Sequence, residues 1–100
     1  MQLNQSEIQT IRDYFSSQPV LKAFLFGSYS RGKADTASDV DILVELDYTQ
    51  HIGFGFVKIK EGLEQKLHRK VDLVSSKAVS RHIIPFIEKD KLLIYERRTG

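Results

Sequence analysis

The interpretation of this sequence is decided by the stretch Gly27-Ser-Tyr-Ser-Arg-Gly-Lys-Ala-Asp-Thr-Ala-Ser-Asp39-Val-Asp41. The nearly all-apolar run from Val20 to Phe26 precedes it and predicts a short buried strand. The alternation from Asp39 to Leu46 predicts a second strand, with apolar residues on one face and the two aspartates at the start of the other. The quoted stretch therefore joins two strands and ends in an Asp-x-Asp pair.

The connection itself has the features of an anion-binding turn. Gly27 allows the backbone to turn sharply off the first strand, and a short helix is predicted from Ser28 to Ala34, followed by a polar turn at 35–38. The unpaired amides at the start of a helix attract anions, the Ser28 hydroxyl adds a donor, and Arg31 lies one helical turn further on. The alternative is an ordinary strand-ending turn with a helix cap and a solvated arginine.

The aspartates form the second part of the pattern. Side chains two residues apart on a strand share a face, so Asp39 and Asp41 are expected side by side, and Asp72 joins them if the predicted strand Lys70–Ser75 pairs beside the second strand. Two carboxylates about 4 Å apart repel by roughly 4 kcal/mol at an effective dielectric of about 20. Solvent, protons or a cation must offset this repulsion, and oxygen-only ligands favour magnesium or manganese. The alternative is a solvated strand edge.

The rest of the chain predicts a small sheet backed by helices. Asn4 is expected to cap a first helix, Phe56 to Leu67 has the pattern of an amphipathic helix, and Leu92 to Tyr95 is expected to form a closing strand or a packed tail. A last helix is predicted around Ser80 to Glu88, with its start nearer Pro85. This order predicts an α+β, two-layer fold with a small mixed sheet of three to four strands, in a single domain over residues 1–100.

Composition excludes several classes of protein. Of 100 residues none is cysteine, so thiolate zinc sites and disulfide scaffolds are excluded. The net charge of +2 is too mild to indicate a dedicated nucleic-acid binder. No signal peptide or membrane-length apolar run is recognisable, so a cytoplasmic protein without membrane contact is expected.

Taken together, the motif from Gly27 to Val44 resembles the signature of the nucleotidyltransferase superfamily that includes DNA polymerase beta. The compact form, with Arg31-Gly-Lys-Ala34 and Ser38 before the carboxylates, resembles its minimal nucleotidyltransferase branch. The resemblance continues through Arg69-Lys-Val-Asp-Leu-Val74, where this family carries its third carboxylate, and extends to the apolar tail.

The resemblance implies a chemistry. Gly27 and Ser28 would hold the triphosphate of ATP or another nucleoside triphosphate, with Arg31 nearby, and Asp39, Asp41 and Asp72 would bind Mg²⁺ or Mn²⁺ and carry out catalysis. The reaction would transfer a nucleoside monophosphate, with AMP as the expected group, and release pyrophosphate.

The family also suggests a partner, because minimal members resemble the antitoxin half of paired systems whose toxin is an all-helical HEPN protein. The expected acceptor is therefore a hydroxyl on such a HEPN-type partner. A catalytically idle antitoxin that acts by docking and a small-molecule nucleotidyltransferase are the alternatives. Nucleotide preference, acceptor identity and homo-oligomeric state stay open at this point.

Overall fold

Three helices and four strands make up the described part of the chain, residues 4–27 and 39–97, in a computed structural model. In chain order they are α1 (Gln5–Phe15), β1 (Val20–Phe26), β2 (Val40–Leu46), α2 (Gly55–Leu67), β3 (Val71–Ser75), α3 (Ile84–Asp90) and β4 (Leu92–Glu96). None of these helices combines the length and the apolar character that crossing a membrane requires.

The strands form one sheet in the order β3-β2-β1-β4. β1 lies antiparallel to both β2 and β4, whereas β2 and β3 are parallel, so the sheet is mixed. The predicted α+β class with a sheet of three to four strands is confirmed. The segment that begins at Leu92 is the edge strand β4 and not a packed tail.

One face of the sheet carries the main hydrophobic core. α1 and α2 cover this face, and Phe15 from α1 and Leu63 from α2 are fully buried against it. Val40, Ile42 and Val44 alternate along β2 and are also fully buried, as the period of two in the sequence predicts. The residues that alternate with these three along β2 must therefore project from the opposite face of the sheet.

The opposite face is also covered. Ile87 of α3 packs on Phe24 and Leu43, which are both buried, and Phe26 and Val74 pack against this second cluster. The sequence predicts the aspartates on this face of β2 but does not predict a helix over it. The short α3 was not recognised as its cover because seven residues are too few to show a clear helical period.

Local sequence signals set most of the helix ends. The side chain of Asn4 accepts a hydrogen bond from the amide of Glu7 and the Glu7 side chain accepts one from the amide of Asn4, so the expected capping box is present. α3 begins at Ile84, with Pro85 in its first turn, and ends at Asp90, so the prediction of a start near Pro85 was better than Ser80.

Several boundaries differ by one residue from the prediction, among them the start of β3 at Val71 instead of Lys70 and the end of β4 at Glu96 instead of Tyr95. Part of the connection between β1 and β2 is not described. β2 begins at Val40, one residue after the predicted start at Asp39, and α2 begins at Gly55, one residue before Phe56. The predicted helix from Ser28 to Ala34 and the polar turn at 35–38 lie outside the described residues.

Candidate active site

The candidate site lies where β1 ends and where β2 and β3 begin. Antiparallel pairing places Phe26, the last residue of β1, opposite Asp41. Parallel pairing places Asp41 opposite Asp72. These three residues form one row across three strands, and neighbouring strands in a sheet lie about 4.8 Å apart. The predicted grouping of Asp72 with Asp39 and Asp41 required β3 to pair beside β2, and the two strands do pair.

Asp41 and Asp72 also lie on the same face of the sheet. Asp41 stands between Val40 and Ile42, whose side chains enter the main core, so its carboxylate must project to the opposite face. The same alternation holds for Asp72, because its neighbours Val71 and Leu73 are both buried in the main core. The two carboxylates therefore project from the face that α3 partly covers.

The aspartates differ in their exposure to solvent. Asp39 directly precedes β2 and is exposed, as is Asp72, whereas Asp41 is half-buried. Two unit negative charges about 5 Å apart repel by about 3 kcal/mol at an effective dielectric of about 20. Water lowers this repulsion at the exposed Asp72.

The carboxylates suit a hard cation in their chemistry, since they supply only oxygen ligands and leave room for water and phosphate oxygens. Within residues 4–27 and 39–97, no three acidic or histidine side chains converge closely enough to form a ready-made metal site. Strand pairing thus brings two of the three expected ligands into register, and the metal-binding role of Asp39, Asp41 and Asp72 stays a prediction.

Gly27 directly follows Phe26, the first residue of the row, and lies against the Asp41 carboxylate. Its φ of +72° lies in the left-handed region that favours glycine. The carboxylate of Asp41 occupies the volume that a Cβ on Gly27 would fill. The turn therefore brings the predicted phosphate-binding glycine into contact with a predicted metal ligand. Ser28 and Arg31, the other two residues expected to bind the triphosphate, lie outside the described residues.

Phe26 was not singled out in the sequence, although it lies opposite Asp41. Its ring packs against the cluster of Phe24, Leu43 and Ile87, and so anchors the end of β1 beneath α3. Its only signal in the sequence is its position as the last apolar residue before Gly27. That signal indicates burial but not which residue of another strand lies beside it.

Comparison with known proteins shows the family of this chain. The sequence model of the family described as "Polymerase beta, Nucleotidyltransferase" matches residues 9–99, which include all four strands and the aspartates. The chain belongs to this nucleotidyltransferase family. It is accordingly an enzyme of the nucleotidyltransferase type.

Two relatives have names that specify which group is transferred and to what. The Methanocaldococcus jannaschii protein named "Putative protein adenylyltransferase MJ1379" is 39% identical over 74 residues, which cover 71% of this chain and 71% of that protein. The Thermococcus cleftensis protein named "Protein adenylyltransferase MntA" is 34% identical over 70 residues, covering 70% of each chain. Both names describe transfer of an adenylyl group to a protein.

A solved structure supports the same fold. A crystal structure described as a toxin-antitoxin with AMP-PNP superposes with a TM-score of 0.73 at 26% sequence identity. The superposition covers 96% of this chain and 76% of that chain. The nucleotidyltransferase fold expected from the motif is thus confirmed.

Proposed function

We propose that this nucleotidyltransferase transfers AMP from ATP to a hydroxyl group of a partner protein, and that the partner is a HEPN-type toxin which the transfer neutralises. The observation that carries the proposal is the register between β2 and β3, which places Asp41 beside Asp72 on one face of the sheet. The adenylyltransferase names of two relatives support ATP as the donor and a protein as the acceptor.

Separate residues of the chain would bind the metal and the triphosphate. Asp39, Asp41 and Asp72 would hold Mg²⁺ or Mn²⁺, while Gly27 and Ser28 would contact the triphosphate, with Arg31 near the same phosphates. A divalent cation held there would lower the pKa of the attacking hydroxyl and stabilise negative charge on the phosphates. The related toxin-antitoxin structure is described as containing AMP-PNP, an ATP analogue, which supports a nucleotide as the substrate.

The proposed reaction is an in-line displacement at the α-phosphorus of ATP. The acceptor oxygen forms a bond to this phosphorus, the bond from the phosphorus to the bridging β-phosphate oxygen breaks, and pyrophosphate leaves. The proton of the acceptor hydroxyl passes to solvent. The task of the carboxylates is to orient the reacting groups, and no side-chain base is needed.

A labelling experiment tests this function. The chain, its co-purified partner, Mg²⁺ and ATP labelled at the α-phosphate are incubated together, and the label that stays on the partner is measured. We expect the natural protein to label its partner, and the double variant Asp39→Ala with Asp41→Ala to leave the partner unlabelled. Glu61→Ala, which removes an exposed carboxylate from α2, is the matched control and should label normally. Undiminished labelling by the double variant would show that the mechanism is wrong.

A second candidate function is docking without catalysis, in which the chain neutralises its toxin by binding alone. It is supported by the related crystal structure described as a toxin-antitoxin, since such a pair works through binding. Calorimetry of the complex and an assay for pyrophosphate distinguish the two functions. Tight binding of the partner with no pyrophosphate released would favour docking.

A further inference from the structure

Gly27 and Asp41 meet at the turn that follows β1. With φ at +72°, Gly27 has a backbone conformation that L residues with side chains rarely adopt. An ideal Cβ at this position would overlap Oδ2 of Asp41 and would lie 3.3 Å from its Cγ and 3.5 Å from its Cβ. Any L side chain at position 27 would therefore compete with the Asp41 carboxylate for the same space.

The sheet holds the two residues in this contact. Phe26 pairs opposite Asp41, so Gly27 follows directly on a residue in register with the carboxylate. On the other strand, Asp41 stands between Val40 and Ile42, which are both fully buried. Neither strand can slide without disturbing packed side chains, and a slip of one residue would reverse the faces of β2. The sheet thus fixes the backbones of both residues side by side, and the Asp41 side chain completes the contact.

We propose that Gly27 is a positioning residue for Asp41. The lack of a side chain at position 27 lets the carboxylate lie against the backbone turn, and this contact sets the direction in which its oxygens face a divalent cation. The role rests on the proposed function, in which Asp41 is a metal ligand. This positioning role differs from binding the triphosphate, because Gly27 acts on the Asp41 carboxylate before any nucleotide is bound.

The position of the Asp41 carboxylate is tested directly by the ¹³C resonance of its carboxyl carbon in the Gly27→Ala variant. The matched control is Gly53→Ala, because Gly53 also has a positive φ, +46°, but its Cβ would meet the His51 imidazole, 3.0 Å from Nε2. We expect the Asp41 resonance to shift in Gly27→Ala and to stay in place in Gly53→Ala. An unshifted Asp41 resonance in folded Gly27→Ala would overturn the proposal.

Metal affinity tests the consequence for function. Mn²⁺ is titrated without nucleotide, and its binding is followed by the relaxation of water protons. We expect Gly27→Ala to bind Mn²⁺ at least about tenfold more weakly, since loss of the groups that orient a metal ligand costs about 10–100-fold in affinity. Gly53→Ala should keep the natural affinity. A Gly27→Ala protein that keeps its Mn²⁺ affinity and only requires more ATP would assign Gly27 to the triphosphate alone.

Reversing the chirality of the added residue separates a clash from a general disturbance of the turn. D-alanine at position 27, introduced by chemical synthesis of the 100-residue chain, suits a positive φ and directs its methyl group away from the L side-chain position. We expect the Asp41 resonance and the Mn²⁺ affinity to be close to those of the natural protein. Damage equal to that of Gly27→Ala would contradict a role based on the contact with Asp41.

The outcomes separate this inference from the proposed function. A natural chain that binds Mn²⁺ but labels no partner protein would refute adenylyl transfer and leave the positioning of Asp41 standing. If the natural chain labels its partner but the Asp41 resonance is unchanged in Gly27→Ala, the positioning role of Gly27 is refuted and adenylyl transfer stands. In the labelling assay itself, Gly27→Ala should be about a hundredfold slower, the loss typical of a displacement of about 1 Å at a reacting group.

Discussion

The substitution Gly62→Ala should destabilise the protein, although alanine normally stabilises a helix. Gly62 lies within α2, and an ideal Cβ there would overlap the Tyr14 hydroxyl oxygen and lie 2.8 Å from Cζ and 3.3 Å from Cε1. Tyr14 belongs to α1, is half-buried against the main core, and donates its hydroxyl proton to the carbonyl oxygens of Lys58 and Ile59, at 3.4 and 3.2 Å. The tyrosine ring thus occupies the place of the missing methyl group.

The magnitude follows from three contributions. Replacing glycine by alanine inside a helix stabilises by about 1 kcal/mol. Forcing a methyl group into packed space costs about 1–3 kcal/mol. Displacing the Tyr14 ring also removes its hydrogen bond to the backbone of α2, which contributes about 1 kcal/mol. The net expectation is a loss of about 1–3 kcal/mol in the free energy of unfolding.

Urea unfolding and thermal melting measure this loss. One kcal/mol corresponds to about 4–8 °C in Tm for a domain of this size, so Gly62→Ala should melt at least about 4 °C lower. Gly55→Ala is the control within the same helix, because nothing lies within 4 Å of its ideal Cβ. Gly55→Ala should be neutral or stabilising.

A double-mutant cycle identifies the cause. In a Tyr14→Ala background the ring is gone, so Gly62→Ala should become neutral or stabilising there, with a coupling free energy of about 1 kcal/mol or more. If Gly62→Ala stabilises the natural protein by about 1 kcal/mol, like an ordinary exposed glycine, then the close approach of α1 and α2 at Tyr14 is wrong.

Two further predictions concern the cap of α1 and the turn after β2. Asn4→Ala breaks the capping box and should cost about 1 kcal/mol in the free energy of unfolding, measured by urea denaturation, with a neutral result contradicting the cap. The pKa of Asp47 is lowered from 3.8 to about 2, chiefly by hydrogen bonds from the Thr49 hydroxyl and amide and further by the Arg97 guanidinium. Because the folded-state pKa is the lower one, this stabilisation is present above about pH 4 and is lost as the pH falls toward 2. The free energy of unfolding should therefore depend less on pH in this range for Asp47→Asn than for the natural protein. An unchanged pH dependence would show that Asp47 does not contribute to the loss of stability in acid.

Much of the fold was readable from local pattern. The alternation along β2 predicted its buried face, the apolar run from Val20 to Phe26 predicted β1 with its observed bounds, and Asn4 with Glu7 predicted the cap of α1. Each of these signals acts between residues close together in the chain, where backbone geometry alone determines which side chains share a face. The position of α3 over the second face of the sheet was missed, since it depends on packing between Ile87 and residues some 40 to 60 positions earlier.

The sequence by itself determined the family and predicted the chemistry of the candidate site, because the Gly-Ser turn, the Asp-x-Asp pair and the third aspartate are set by residue type and spacing. The tertiary structure alone decided that Asp72 stands in register with Asp41 and that the Asp41 carboxylate rests where Gly27 has no side chain. The physical reason is that register and close approach are fixed when distant strands pair and their apolar faces pack together. No local pattern in either strand encodes which residues will meet, so only the folded sheet could show that Gly27 lies against the Asp41 carboxylate.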